Sequence, residues 1–524
     1  MPELTEHGGS FFSQTPDRIF TVSDFHSDER LMIEAADQFS RGEVLPVVER
    51  LDAQEEGLTP ALIRSAGELG FCGVDTKEHY GGLGLGKNVA ARILEMMSLN
   101  GSFSVTYGIT SGISQLGLSL FGTESQKQQY LPKLTSGEWI GAYALSEPNS
   151  GSDALSASTR AELRNGKWVL NGTKMWISNA KWAEFFLVMA KIDGDKFSAF
   201  LVERGHPGVQ VSREEHKMGL KGSSTARLIL EDAEIPEENL LYEPGLGHHV
   251  AFNALNIGRF KLSSMSMGPA RHAIELAANY ALDRRQFGRP ISDFGLIRKK
   301  FAEIAARFYA AESMIYRTGA MIDAAFEAYA GDIAGNRKAA EEFAIECSAS
   351  KVFSTESESF IVDESLQCFG GYGFTEEFPI ARHYRDARVS RIYEGTNEIN
   401  RVFLADRLIR KAKDGKASLV SAGDSFVSEL AGKAFGTAPT NQIQMGALSD
   451  LVMLSYAEQS SRLRAAQQGG VYSDLHRAFS NWAVVEAVRA YQLATGDASP
   501  PLPAPQPVDL EALAGVVLDK RGPL

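Results

Sequence analysis

Chemistry in this chain gathers around one carboxylate. Glu394 lies in the segment Arg391-Ile-Tyr-Glu-Gly-Thr-Asn-Glu-Ile-Asn-Arg401. Gly395 behind it lets backbone or a ligand approach closely. Thr396 has the residue type of an N-cap for an apolar-periodic helix expected over 397–413. A helix N-terminus favours the charged carboxylate, so Glu394 can act as a base only where apolar surroundings raise its pKa. A solitary Glu ahead of a helix is commonly a solvated charge beside a favourable dipole. The other segments of the chain decide between these readings.

Four of them stand in a fixed order: Tyr143-Ala-Leu-Ser-Glu-Pro-Asn-Ser-Gly-Ser-Asp153, Lys174-Met-Trp-Ile-Ser-Asn179, Arg284-Arg-Gln-Phe-Gly-Arg-Pro290 and Gln367-Cys-Phe-Gly-Gly-Tyr-Gly-Phe374. With the Glu394 segment, in this order and at these spacings, they resemble the acyl-CoA dehydrogenases, FAD enzymes that desaturate fatty acyl thioesters. The resemblance covers roughly residues 25–410. Phe294-Gly-Leu-Ile297, Asn256-Ile-Gly-Arg-Phe260 and the C-terminal extension look most like the very-long-chain branch.

Desaturation at Cα–Cβ needs a base for the α-proton, an acceptor for the β-hydride and donors for the developing enolate-like oxygen. Side chains offer no hydride acceptor, so a redox cofactor is required. No Gly-x-Gly-x-x-Gly follows an expected strand, which speaks against a Rossmann nicotinamide site. The resemblance implies FAD instead, lying between a β domain and a helical bundle.

The resemblance also implies roles for individual residues. Glu394 aligns with the base, its N–H with one donor to the thioester carbonyl, and Gly395 with a substrate contact. Some relatives carry the base where Gly258 stands here, and its missing side chain leaves room for one from the Glu394 loop. Tyr143, Leu145, Ser146, Gly151 and Ser152 align with a strand and loop running along the flavin, Ser152 also touching substrate. Trp176, Ile177 and Ser178 align with the shield of the isoalloxazine and its N5 side. Arg284, Phe287, Gln367, Gly370 and Gly371 align with groups reaching the FAD of a neighbouring subunit, where a guanidinium suits pyrophosphate. Thr396 and Glu398 fall at the adenosine end, Glu398 departing from the amide or shorter acid common there. Asn256 and Arg259 align with substrate contacts, with a surface ion pair as the bland alternative for Arg259. Val105 and Ile109 align near the closed end of the acyl pocket, where apolar residues favour longer chains. The implied partners are acyl-CoA, an electron-transfer flavoprotein and a second copy of the chain in a homodimer. An oxidase passing electrons to O2 and a non-catalytic scaffold share the fold and stay open; a flavin monooxygenase fits less well because Glu394 is retained.

These residues need elements to position them. Apolar spacings of three and four predict helices through 27–134, from Leu31, Met32, Ala35 and Phe39 to Ile93, Met96 and Met97. Between 139 and 240 the pattern turns to short β-rich runs. Asn165-Gly166 and Asp193-Gly194 read as hairpin turns, and Ala226–Glu231 alternates as a half-buried strand. Helical periodicity returns over 250–283, 294–329 and 337–366, as an antiparallel bundle. The expected fold is α+β, mainly α: an N-terminal helical domain over 1–137, a central antiparallel β domain over 138–246, a four-helix bundle over 247–413, and a helical extension over 414–524.

In the extension, Leu419, Phe426, Leu430 and Ala434 share one helical spacing, as do Leu448, Leu451, Val452 and Tyr456. A third helix is expected from Ser473 as N-cap, burying Phe479, Val484 and Val488. Pro500–Pro507 reads as a stiff linker to a short terminal helix. Basic residues are sparse beside Asp450, Glu458, Asp474 and Glu486, unlike a membrane-surface helix. The stripes are therefore expected to pack on the core or a partner subunit, with membrane contact at most peripheral.

Bulk properties set outer bounds. A chain of 524 residues, 44% hydrophobic, can bury a large core in more than one domain. A net charge of −13 excludes a general nucleic-acid binder and leaves an anionic CoA thioester to be met by local positive groups. Cys72, Cys347 and Cys368 lie far apart in apolar contexts, giving neither metal spacing nor a disulfide framework. The stretch Met1–Ser10 is polar and acidic, unlike a secretory or transit peptide, so a cytoplasmic location is expected.

Overall fold

A computed structural model describes residues 4–329, 331–498 and 500–524. The chain forms two compact units: Ser27–Lys261 with Tyr329–Glu341, and the remainder up to His26 with Leu262–Ala328 and Glu342–Leu524.

The first unit opens on helices that include Ser27–Phe39, Leu58–Glu68, Lys87–Met97, Gly101–Gly108, Ser114–Phe121 and Glu124–Thr135. The last is capped on both sides of its first turn, Thr123 accepting from the Gln126 amide while Gln126 accepts from the Thr123 N–H. A π-helical turn, Ile109–Ile113, joins two of these helices.

Eight strands follow: β1 (Gly141–Ala144), β2 (Arg160–Arg164), β3 (Lys167–Ser178), β4 (Phe185–Ile192), β5 (Lys196–Glu203), β6 (Val209–Val211), β7 (Thr225–Pro236) and β8 (Leu240–Leu241). They form one sheet ordered β6-β7-β3-β2-β4-β5-β8, with β1 also on β4. Both expected hairpins are present. Arg164 pairs with Lys167 across Asn165 and Gly166, whose φ angles of 50° and 74° give the primed turn that matches strand twist. Ile192 pairs with Lys196 across the Asp193 loop.

The sheet is not wholly antiparallel. β1 and the start of β2 run parallel to β4. Alternation of side chains marks a strand but not its direction, and parallel neighbours require a connection longer than a hairpin, which the loop and strands from Leu145 to Glu184 provide. β4 lies against the deepest core: Phe185, Phe186, Leu187, Val188 and Met189 are fully buried.

The second unit is a bundle of long helices, among them Gly295–Tyr329, Ala344–Phe369 and Asn397–Lys413, together with the end of Gly247–Asp283. The extension adds Phe426–Ala434, Gln442–Gln468, Val471–Thr495 and Leu510–Lys520. The expected stripe of Gln442–Gln468 is spent on packing, with Leu448, Leu451, Val452 and Tyr456 buried. Several polar groups in this seam are paired. Arg464 pairs with Glu312 at 2.7 Å, Arg317 donates to Gln459 at 2.8 Å, and the Tyr456 and Thr318 hydroxyls meet at 2.8 Å.

Three details of the extension differ from the sequence reading. Leu419 lies outside the helix Phe426–Ala434, whose cap is Ser425. Ser473 lies within a helix that starts at Val471 after Gly470, because the positive-φ pair Gly469-Gly470 ends one helix and begins the next. Phe479 and Val488 are buried there, whereas Val484 is half-buried. No described helix is long and apolar enough to cross a membrane.

The chain's first turn carried no signal in the sequence, yet it is part of this unit's core. Phe11 and Phe12 are buried, and the Phe11 ring packs at a tilt 4.4 Å from that of Tyr456. Gln459 donates to the Phe11 carbonyl, Ala422 N–H to the Phe12 carbonyl, and the Gln467 amide exchanges two hydrogen bonds with Ile19. Removing residues 417–524 is therefore expected to expose this seam and give an aggregating protein with a lowered Tm. The single change Arg464→Ala, which strips a partner from buried Glu312, should cost about 3–5 kcal/mol in denaturant unfolding.

Candidate active site

In the first unit, β1 delivers Tyr143, and Leu145 and Ser146 lead into a loop closed by the Glu147–Ser150 bridge, with Gly151 and Ser152 exposed. The Ser146 carbonyl accepts from the Met175 N–H at 2.8 Å, which lays this loop beside the end of β3. There the pairing of β3 with β7 shifts between Lys174 and Ile177. Trp176 sits at that break with φ of 61° and a side chain 58% exposed. A bulky residue in the left-handed region at a bulge is strained, and the bulge turns its indole outward.

A buried ion pair holds the loop and strand together. Lys174 Nζ donates to Glu147 Oε1 at 2.6 Å and to the Leu145 carbonyl at 3.2 Å. Glu147 also accepts from the Ser158 and Thr159 N–H groups. Burial alone would raise the Glu147 pKa, but Lys174 and these donors bring it to about 2; burial lowers that of Lys174 to about 8. Both residues lie inside the quoted motifs, but nothing in their spacing announced that they pair.

Asn256 and Arg259 are buried on the helix Gly247–Asp283, and Arg259 donates to Asn256 Oδ1 at 3.3 Å. The bland reading of Arg259 as a surface ion pair is thus overturned, because this helix face is covered. Two residues on, Lys261 donates to the Ser111 carbonyl in the π turn and to Asp75 at 3.0 Å. Burial opposes the Asp75 charge, but Lys261 and Lys87 hold its carboxyl well below the usual range. Val105 is buried in the helix before that turn, and Ile109, the turn's first residue, is half-buried.

In the second unit, Glu394 has φ of 58° and Gly395 of 82°, two successive left-handed residues that reverse the chain into the helix Asn397–Lys413. The expected cap is present: Thr396 Oγ1 accepts from the Ile399 N–H at 3.3 Å. The Gly395 carbonyl accepts from Asn400 at 2.8 Å and from Lys351 at 2.9 Å. Glu398 is exposed in the first helical turn, and backbone and Thr396 donors lower its pKa.

Behind this loop lies a second acid. Glu358 is buried on the helix Ala344–Phe369, and burial, reinforced by Asp386, raises its pKa to about 8 despite Ser390 and Arg391. Burial also raises that of Tyr393, with Glu358, Glu394 and Asp386 adding to the effect.

The remaining residues of this unit form an exposed patch. Phe287 and Gly288 turn a two-stranded ribbon at φ of 52° and 81°, leaving Phe287 94% exposed. Gln367, Gly370 and Gly371 are exposed, nothing lies within 4 Å of a Cβ built on either glycine, and Arg284 stacks over Tyr372. The structure thus joins the Ser146 loop to the strand of Trp176, Asn256 to Arg259, and Arg284 to the turn of Gly370 and Gly371.

The donor set fits a flavin dinucleotide. In the first unit, an exposed indole on the strand of Ser178, with the loop of Ser146 and Ser152 bonded to that strand, suits a flat ring with polar edges. Arg284 beside open glycines suits a pyrophosphate. Among the described residues no group of His, Cys, Asp and Glu could hold a metal ion.

Comparison with known proteins agrees. The family models for the acyl-CoA dehydrogenase N-terminal, middle and C-terminal domains match residues 26–138, 142–233 and 245–409. A probable acyl-CoA dehydrogenase of Bacillus subtilis is 47% identical over 433 residues, 81% of this chain and 73% of that one. Human short-chain and very long-chain specific acyl-CoA dehydrogenases are 35% identical over 398 residues and 40% over 350, covering 75% and 64% of this chain and 92% and 51% of theirs. A crystal structure of an acyl-CoA dehydrogenase complexed with FAD from Bacillus anthracis superposes with a TM-score of 0.92 at 39% identity, over 99% of this chain and all of that one.

The Glu358 environment makes a pH prediction. The acid keeps its proton when folded but has an ordinary pKa of 4.5 when unfolded. Its contribution to stability is complete below pH 4.5 and is lost as pH rises to about 8. The Tm of the wild type minus that of Glu358→Gln should fall between pH 5 and 8, and a gap that does not move with pH would show that the acid is not protonated. On the matched domains and the FAD-bound relative, the chain belongs to the acyl-CoA dehydrogenase family and is an FAD-dependent enzyme.

Proposed function

We propose that the chain desaturates long-chain acyl-CoA to trans-2-enoyl-CoA in fatty acid β-oxidation, with Glu394 as the base. The observation that carries this reading is the left-handed Glu394-Gly395 turn, held by its neighbours at the head of a capped helix. Glu394 takes the α-proton onto its carboxylate, and its N–H is placed to donate to the thioester oxygen. FAD, when bound, supplies the hydride acceptor. Ser146, Ser152, Trp176 and Ser178 orient the flavin end. Thr396 and Glu398 serve the adenosine end. Asn256, Arg259 and Gly395 contact substrate.

The patch of Arg284, Phe287, Gln367, Gly370 and Gly371 faces a second copy in a homodimer and the FAD that copy holds. An aromatic 94% exposed on a strained turn supports this, since burial against a partner would offset both costs. Electrons pass to an electron-transfer flavoprotein. We place the enzyme in the cytoplasm, with membrane contact at most peripheral because the extension's stripes are buried. The proposed domains are 1–137, 138–246, 247–413 and 414–524.

Glu394→Gln should keep FAD and acyl-CoA binding while slowing flavin reduction in single-turnover stopped flow by about 10²–10⁴-fold. A near-wild-type rate would remove Glu394 from this role. Stoichiometric hydrogen peroxide without an added acceptor would instead identify an oxidase.

The long-chain preference rests on Val105 and Ile109 by the π turn, where each further buried methylene gains roughly 0.8 kcal/mol. Catalytic efficiency in a ferrocenium assay is therefore expected to be higher on palmitoyl-CoA than on butyryl-CoA, and the reverse order would refute it.

A further inference from the structure

The Gly395 carbonyl is gripped by an ammonium that no motif singled out. Lys351 is fully buried on the helix Ala344–Phe369. A charge so placed must be matched by well-aligned acceptors. Its Nζ donates to the Gly395 carbonyl at 2.9 Å and to Asn397 Oδ1 at 2.7 Å. With Asn400 on the same carbonyl, the peptide after Gly395 is fixed by two donors, and the direction of Glu394 with it.

The grip continues outward in one chain of contacts. Asn397 Nδ2 donates to Glu356 Oε1 at 3.1 Å. Arg401 forks onto both Glu356 oxygens at 2.7 and 2.9 Å, and its Nε donates to Asp450 at 2.7 Å. Asp450 stands on Gln442–Gln468, in the extension, and the neighbouring Ser449 hydroxyl donates to the Arg401 carbonyl. A bidentate guanidinium–carboxylate fork fixes orientation as well as distance.

We infer that Lys351 is a positioning residue for Glu394, and that the C-terminal extension braces it through Asp450, Arg401, Glu356 and Asn397. This rests on Glu394 being the base. The extension then contributes to catalysis without touching substrate, because a base displaced by about 1 Å can lose on the order of 10² in rate.

The test uses the full-length FAD-loaded enzyme with palmitoyl-CoA. Two quantities are read: the flavin-reduction rate at saturating substrate, and amide hydrogen exchange across 394–400. Lys351→Met should slow reduction by about 10²-fold with KM little changed, and Lys351→Arg should recover part of it. Asp450→Asn should show a smaller loss in the same rate. Both Lys351→Met and Asp450→Asn should speed exchange at 394–400 but not along Gly295–Tyr329, which a general loss of stability would also affect.

Wild-type rates and exchange in both variants would overturn the inference. A normal Asp450→Asn beside a slow Lys351→Met would overturn the reach into the extension. If Lys351→Met does not fold, Asp450→Asn decides alone, since its side chain is a third exposed. Glu394→Gln measured alongside separates the two claims. A fast Glu394→Gln removes the base assignment itself, whereas a slow one beside unaffected Lys351 and Asp450 variants removes only the positioning.

Discussion

A carboxylate proposed as a base must be held more firmly than a surface side chain, and around Glu394 the backbone does the holding. Glu394 and Gly395 both occupy the left-handed region, which an L-residue enters at a cost of order 1–3 kcal/mol. That conformation persists only where the surroundings determine it. The Thr396 cap, the Asn400 amide and the Lys351 ammonium each fix one polar group of the turn. Without them the segment would relax toward an ordinary helix entry and point the acid elsewhere.

The same solution, a buried cation on a backbone carbonyl, recurs in the β-containing unit. Lys174 spans from Glu147 to the Leu145 carbonyl under the loop that carries Ser146 and Ser152. Lys261 likewise joins Asp75 to the Ser111 carbonyl in the π turn. In each case a charge is removed from water at considerable cost and returns specificity of backbone position. Such loops cannot rely on sheet or helix hydrogen bonds for their shape.

Much of this was legible in the sequence, for local reasons. Asn165-Gly166 specifies its turn through the φ angles it tolerates, Thr396 its cap through a hydroxyl at the right offset, and Leu448 to Tyr456 a helical stripe through spacing. What escaped notice depends on groups remote in sequence. Lys351 reaches Gly395 across 44 positions and Lys261 reaches Asp75 across 186, and no periodicity encodes such a pairing. The parallel placement of β1 beside β4, the burial of Arg259 and the break at Trp176 are also products of tertiary packing. Ser473 misled because a good capping residue competes poorly with two glycines that can turn the chain three residues earlier.

The first turn of the chain has a consequence for how the protein comes to exist. Ile19 is clasped by Gln467, 448 positions away, and Phe11 rests on Tyr456. During synthesis these opening residues emerge long before the helix that receives them. They must wait, with two phenylalanines uncovered, until the stretch holding Tyr456 and Gln467 has been made. Contacts of such sequence separation form late because loop closure comes before their reward. The contact of Ile19 with Gln467 therefore closes a loop of 448 positions, so this seam can form only once both stretches exist to meet.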